Sequence, residues 1–280
     1  MKITNPDKIW FPKPIITKQQ IIHYYDQISP FFLKYVKNHL IVMHRFPNGI
    51  DHESFYQKQI PDYFPASVKR KTIMLKKKEK QTLVLVSSKK SLQYLVNQGT
   101  IIFHSWLSKA TQPNKPDKII FDFDPTNKDM KSLRFAVFAM KKLLQKYQLE
   151  SFVMTTGSHG FHVVVPIKPK YNFEATHVFA KKIAQELVDL HPTMLTINPV
   201  IKKRKGKIFI DYLRNSYGQT SVAAYSVRAH PKAPVATPIT WSALNRTVPQ
   251  QFTIFNIFTK LKKSGDAWKD FEKKRNNLHL

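Results

Sequence analysis

Cysteine is absent from the 280 residues. Disulfides, thiolate zinc sites and thiol catalysis are thereby excluded, and any metal must be held by oxygen or imidazole ligands, which points to Mg²⁺ or Mn²⁺. Acid is scarce: 18 Asp and Glu stand against 46 Lys and Arg, leaving a formal charge of +28. That imbalance favours a polyanionic partner over an acidic metabolite, with nucleic acid as the first candidate. No long uncharged apolar run occurs, and the first residues, MKITNPDKIW, have neither signal-peptide nor lipidation character. A soluble, cytoplasmic protein without a membrane partner is expected. Repeats and Gly/Ser-rich linkers are also missing, so one compact domain over 1–280 is expected, built from two lobes of about 1–115 and 116–262 with a basic C-terminal tail.

What is present is apolar enough to fold: 42% of residues are hydrophobic and 12% aromatic. Within that material three aspartates stand out, Asp122 and Asp124 in IIFDFDP and Asp211 in KIFIDYL. Alternation places Ile120, Asp122 and Asp124 on one strand face, and both faces of the second strand read as buried. An isolated buried carboxylate costs several kcal/mol, roughly, so these acids call for a cation. The plainer alternative has Asp124 capping the following helix and Asp211 pairing with a lysine.

Elsewhere the periodicity predicts a helix over 19–36, capped by Thr17 and kinked at Pro30. Short apolar runs at 39–43, 72–75, 82–86 and 100–103 read as strands of a first sheet, with a basic hairpin tip, MLKKKEKQT, between the second and third. From Pro116 the pattern alternates: strand 118–123, helix 129–147, strands 151–155 and 161–167, and helix 173–190 capped by Asn172. A basic loop, KKRKGK at 202–207, then leads to the Asp211 strand. The fold class is α+β, with two sheets flanked by helices and the acids on the central sheet.

Two carboxylates at i and i+2, joined by a third from another strand, suit a two-metal site that activates a hydroxyl and stabilises a leaving oxygen in phosphoryl transfer. Nucleases, phosphatases, glycosyltransferases and polymerases all use such acids. The turn TTGSHGFH frees backbone N–H groups to face an anion, while Thr156, His159 and His162 add side-chain donors; this suits a triphosphate. Arg214, Arg228 and His230 follow Asp211, and arginine suits bidentate phosphate binding.

The segments TNPDKIWFP, RFPNGID followed by SFYQK, FDFDP, the Thr156–His162 turn, KIFIDYLRN and AAYSVRAHPKAPVATPITW occur in that order. Together they resemble the polymerase domain of bacterial DNA ligase D, within the archaeo-eukaryotic primase superfamily, from about Asn5 to Leu244. The resemblance implies that Asp122, Asp124 and Asp211 bind two catalytic Mn²⁺ or Mg²⁺ ions. It implies that His162 and Arg228 contact the triphosphate of an NTP or dNTP, and that His104 is a further nucleotide-site histidine. Lys8 and Lys18 would hold a 5′-phosphate at a DNA gap or end, Phe55 and Tyr56 would stack on the template, and Arg204 would help align ends. At His44 and His159 the family commonly has lysine, at His230 arginine, and at Thr156 serine. With histidine in place of permanent cations, nucleotide affinity is expected to fall above roughly pH 7; the alternative is that these histidines donate while neutral, or that nearby lysines replace the lost charge. The implied activity is template-directed nucleotidyl transfer by a free-standing bacterial chain near the nucleoid. The implied role is gap filling or end extension in non-homologous end joining, with ribonucleotide preference and with Ku and a separate ligase as partners. A de novo primase of a mobile element and a non-catalytic DNA-end-binding module are the alternatives.

Overall fold

The computed structural model describes residues 2–75, 79–127 and 129–278, and residues 76–78 of the basic hairpin tip lie outside them. The chain divides into two units: Met1–Pro113 with Thr220–Thr237 and Phe252–Lys263, and Asn114–Gln219 with Pro238–Gln251 and Ser264–Leu280. Segments Thr220–Thr237 and Phe252–Lys263, expected in the second lobe, belong to the first, because Thr220–Val222 adds an antiparallel strand to Thr100–Lys109.

In the first unit the sheet order is Thr220–Val222, Thr100–Lys109, His39–Arg45, Lys80–Leu85, Arg70–Met74, and Phe55–Gln57 also pairs with His39–Arg45. Helix Lys18–Val36 begins in a capping box between Thr17 and Gln20 and runs through Pro30. It buries Ile21, Ile22, Tyr25, Ile28, Phe32 and Val36, the stripe expected from helical spacing. Tyr25 fixes the helix to the sheet: its hydroxyl donates to the Ile101 carbonyl at 2.7 Å and accepts the Val227 N–H at 2.9 Å. Its ring meets Phe32 and Phe103 edge-on at 5.7 and 5.1 Å, a favoured aromatic geometry. Before the helix, Ile9–Pro12 and Ile15–Thr17 form a two-stranded ribbon.

The second unit holds a six-stranded sheet in the order Leu195–Thr196, Ile208–Asp211, Lys118–Asp124, Phe161–Pro166, Phe152–Thr155, Pro238–Ile239. Only the first of these pairings is parallel. Helix Met130–Lys146 is capped by Asp129, whose carboxylate accepts the Lys131 and Ser132 N–H groups at 3.0 Å, so Asp124 is not a cap. Asn172 caps Phe173–Leu190 as expected. Asn215 secures the turn after the Asp211 strand, accepting the Ile120 N–H at 2.8 Å and donating to the Ile120 carbonyl at 2.7 Å. In the basic C-terminal segment Trp268 is buried and its indole donates to the Val153 carbonyl at 3.0 Å. The class is the α+β arrangement of two sheets with helices. No helix among the described residues is long and apolar enough to cross a membrane.

Candidate active site

The acids lie on adjacent strands of the second unit. Asp122 is paired in register with Asp211 on one side and with His162 on the other. Residues directly opposite in a ladder project to the same face, so one row across three strands reads Asp211, Asp122, His162. Asp124, two residues on, shares that face and stands opposite Phe209.

Burial and charge crowding define the electrostatics of this row. Asp122 and Asp211 are buried. Burial, with the Asp122 and Asp211 carboxylates adding to it, pushes the Asp124 carboxyl up to about 7, while His162 and Arg204 pull the other way. Burial likewise raises Asp211 against the opposing pull of Arg214. Protein cations partly answer the crowding. His162 Nε2 lies 3.2 Å from Asp122 Oδ1, and Arg214 Nε lies 3.0 Å from Asp211 Oδ2. The Leu213 N–H also donates to Asp211 at 2.9 Å. Arg204 stacks its guanidinium 4.0 Å over the Phe209 ring, which brings a residue of the basic loop to the acids.

Among the described residues no group of three His, Asp or Glu side chains is already closed around a metal-sized point. The donor set nevertheless fits a hard divalent cation: three carboxylates, two of them buried and directly opposed, with the third driven toward protonation by burial and by its neighbours. Relief of that crowding is what a bound cation supplies. Two of the carboxylates are turned to His162 and Arg214 instead.

In the turn between Thr155 and Phe161 the Thr156 hydroxyl donates to the Gly160 carbonyl at 2.9 Å and accepts the Ser158 and Gly160 N–H groups at 3.2 Å. Through these bonds Thr156 braces the loop. Gly160 permits the close approach, since a Cβ there would stand 1.9 Å from the Phe123 carbonyl oxygen. His159 is exposed, with its Nδ1 3.1 Å from Ser158 Oγ, whereas His162 is buried against Asp122.

The remaining expected residues belong to the first unit. Tyr56 lies opposite His44 in register, and their rings stack at 4.0 Å and 19°. His104 meets Tyr56 edge-on at 5.5 Å. Burial, then the nearby Arg228 charge, lowers the His44 imidazole to about 4. That favours a neutral His44 near pH 7 in the absence of a nucleotide, the alternative in which the histidine donates while neutral, and its Nε2 is 3.0 Å from Ser54 Oγ. Phe55 and Tyr56 are 45% and 56% exposed, so they are not core aromatics, and Arg45 lies 5.3 Å over the Phe55 ring. Arg228 and His230 sit on one loop, with the His230 N–H bonded to the Arg228 carbonyl.

Lys8 and Lys18 are brought together by the ribbon, where the Lys18 N–H donates to the Lys8 carbonyl at 2.8 Å. Lys18 Nζ is buried against the Thr4 carbonyl and hydroxyl at 2.7 and 2.8 Å, and Lys8 Nζ reaches Pro47 O and Asn48 Oδ1. Burial, with Lys8 adding to it, lowers the Lys18 ammonium to about 8. The positioning parts played by Gly160 and Asn215 escaped the sequence reading. The glycine of the turn was visible in sequence, whereas nothing marked Asn215.

The family model "LigD, primase-polymerase domain" matches residues 17–268. The chain is 30% identical over 276 residues to the bifunctional non-homologous end joining protein LigD of Bacillus subtilis, covering 97% of this chain and 44% of that protein. It is 26% identical over 269 residues to the multifunctional LigD of Mycolicibacterium smegmatis, covering 95% of this chain and 35% of that one. The chain thus spans less than half the length of these relatives. Among solved structures, the polymerase domain of Mycobacterium tuberculosis ligase D in complex with DNA matches with a TM-score of 0.91 and 26% identity over 99% of both chains.

Proposed function

Because the chain belongs to the LigD primase–polymerase domain family, we propose that it is a template-directed nucleotidyltransferase that fills gaps and extends 3′ ends at DNA breaks. The observation that carries this reading is the opposed pair Asp122 and Asp211 with Asp124 beside it on one sheet face. Asp122, Asp124 and Asp211 would hold two divalent ions, Mn²⁺ or Mg²⁺. The chemistry such ions supply when bound is acidification of an attacking 3′-hydroxyl and neutralisation of charge on the triphosphate.

The chain's own residues do the rest in this reading. Arg214 orients Asp211, and His162 orients Asp122. His159 and the Gly-containing turn offer donors to phosphate oxygens. In the first unit, Arg228, His104 and His230 serve the nucleotide, the exposed faces of Phe55 and Tyr56 stack on template bases, and Lys8 with Lys18 hold a 5′-phosphate. Arg204, beside Asp124, couples the basic loop to the acids. The names of the relatives support a part in end joining; ribonucleotide preference, action in the cytoplasm at the nucleoid, and cooperation with Ku and a ligase complete the proposal.

The test is extension of a gapped duplex with and without a 5′-phosphate, comparing NTP with dNTP. Asp122→Ala/Asp124→Ala is expected to lower extension by about 10³-fold or more, since ions in such sites supply several kcal/mol. Affinity for the gapped duplex should stay within about twofold. A wild-type protein that binds DNA but never extends it with Mn²⁺ or Mg²⁺ would overturn the reading in favour of a binding module.

A further inference from the structure

A concavity in the first unit, lined by none of the candidate site residues above, has a volume of about 460 Å³. It lies along the first turns of helix Lys18–Val36 and against the start of helix Ile257–Ser264. Its floor is aromatic: Tyr24 and Phe258 meet at 6.0 Å and 55°, and Phe255 is 56% exposed beside them. Its rim is amide and imidazole, from Gln19, His23 and Gln27, all exposed.

The lining contains no Lys, Arg, Asp or Glu, in a chain where 23% of residues are charged. A charged ligand is therefore disfavoured inside it, because a desolvated charge needs a partner. Glutamine presents one acceptor and two donors on a single plane. An aliphatic side chain of a partner protein would cover the rings but leave those amides unused. A flat, neutral heterocycle whose edge alternates donors and acceptors satisfies both, and the volume falls in the range of small-ligand sites. From this we infer that the concavity is a nucleobase pocket, its ligand an unpaired base stacked on Phe255 and Phe258 and read at its edge by Gln19 and Gln27. The source of the base, a single-stranded stretch of the DNA substrate, rests on the proposed function; the pocket chemistry does not.

Two probes separate the sources: free adenosine, followed by saturation-transfer NMR, and a short single strand carrying one 2-aminopurine among abasic sites, followed by fluorescence quenching. Binding of either is expected. Phe255→Ser should abolish it, and Gln19→Ala/Gln27→Ala should weaken it about tenfold, two hydrogen bonds being removed. Absence of binding by both probes, or binding that both variants leave intact, overturns the pocket. Neither measurement needs metal or turnover, so failure of extension in the wild type would sink the proposed function while leaving the pocket readable.

Discussion

Asp211 stands directly opposite Asp122 across the antiparallel pair formed by Ile208–Asp211 and Lys118–Asp124. Like charges at opposed positions of a ladder repel, and here both members are buried. Their field, added to burial, is what holds the Asp124 carboxyl at about 7.

The first prediction concerns stability in EDTA. An unfolded aspartate titrates near 3.8, and the folded Asp124 near 7. The folded state therefore prefers the protonated acid. The stabilisation is fully present below about pH 4 and is lost as pH rises through 7. Between pH 5.5 and 8.5 the wild-type Tm should fall, and Asp124→Asn should remove most of that fall. After discounting for solvent screening the effect is on the order of 1 kcal/mol, about 2–4 °C. Mn²⁺ at pH 8 should restore the wild type and do nothing for Asp122→Asn/Asp124→Asn. Thermal denaturation across pH checks both arms, and a flat wild-type profile would refute the crowding account.

A second prediction rests on backbone proximity. At Gly160 a Cβ would lie 1.9 Å from the Phe123 carbonyl oxygen, so Gly160→Ala must displace the acid-bearing strand. A loss of about 3 kcal/mol and of extension is expected. Gly206 has φ +79° but nothing within 4 Å of the added atom, so Gly206→Ala should cost only about 1 kcal/mol. Comparable Tm values for the two variants would contradict the contact.

These relationships divide what could be read from the chain from what could not. Local patterns were legible: Thr17 and Asn172 cap the helices assigned to them, and the alternation in IIFDFD placed Asp122 and Asp124 on one face. Helix Lys89–Asn97 escaped because nine residues opening with two lysines carry too little periodicity, although Ser88 and Ser91 form its capping box. Contacts over long separations carried no signature. Nothing in KKRKGK announces that Arg204 stacks on Phe209 beside Asp124. Likewise the return of Thr220–Val222 to the first sheet follows from strand pairing with residues about a hundred positions earlier. The aromatic motif FY at 55–56 was found through family resemblance, and its exposure separates it from core.

His44 leads to a third prediction. Its folded value, about 4, lies below the ordinary 6.5, so the neutral form is favoured by folding. That contribution is present above about pH 6.5 and is lost as pH falls through 4. His44→Phe keeps the stack on Tyr56 and should flatten the acid limb of the Tm profile. Because His44 does not change charge between pH 6.5 and 8.5, wild type and His44→Phe should show parallel pH dependence of nucleotide KM over that range. Divergence of the two curves near pH 7 would mean that an imidazolium does act there.

Lys18 supplies the last. With its ammonium lowered to about 8 by burial and by Lys8, it is charged at pH 7 and largely neutral at pH 9.5. If it holds a 5′-phosphate, preference for a phosphorylated gap over a hydroxyl-ended one should be full near pH 7, where the phosphate is mostly dianionic and Lys18 charged, and decline above 8. An ordinary surface lysine would keep its charge beyond pH 9.5. Lys18→Arg stays charged and should carry the preference to the highest pH measured. Lys8→Gln removes the neighbouring charge while retaining a donor for Asn48, so the decline should move to higher pH. Fluorescence anisotropy with paired duplexes differing only at the 5′ end reads all three proteins. A preference that falls identically with pH in wild type and Lys18→Arg would assign the titration to another residue.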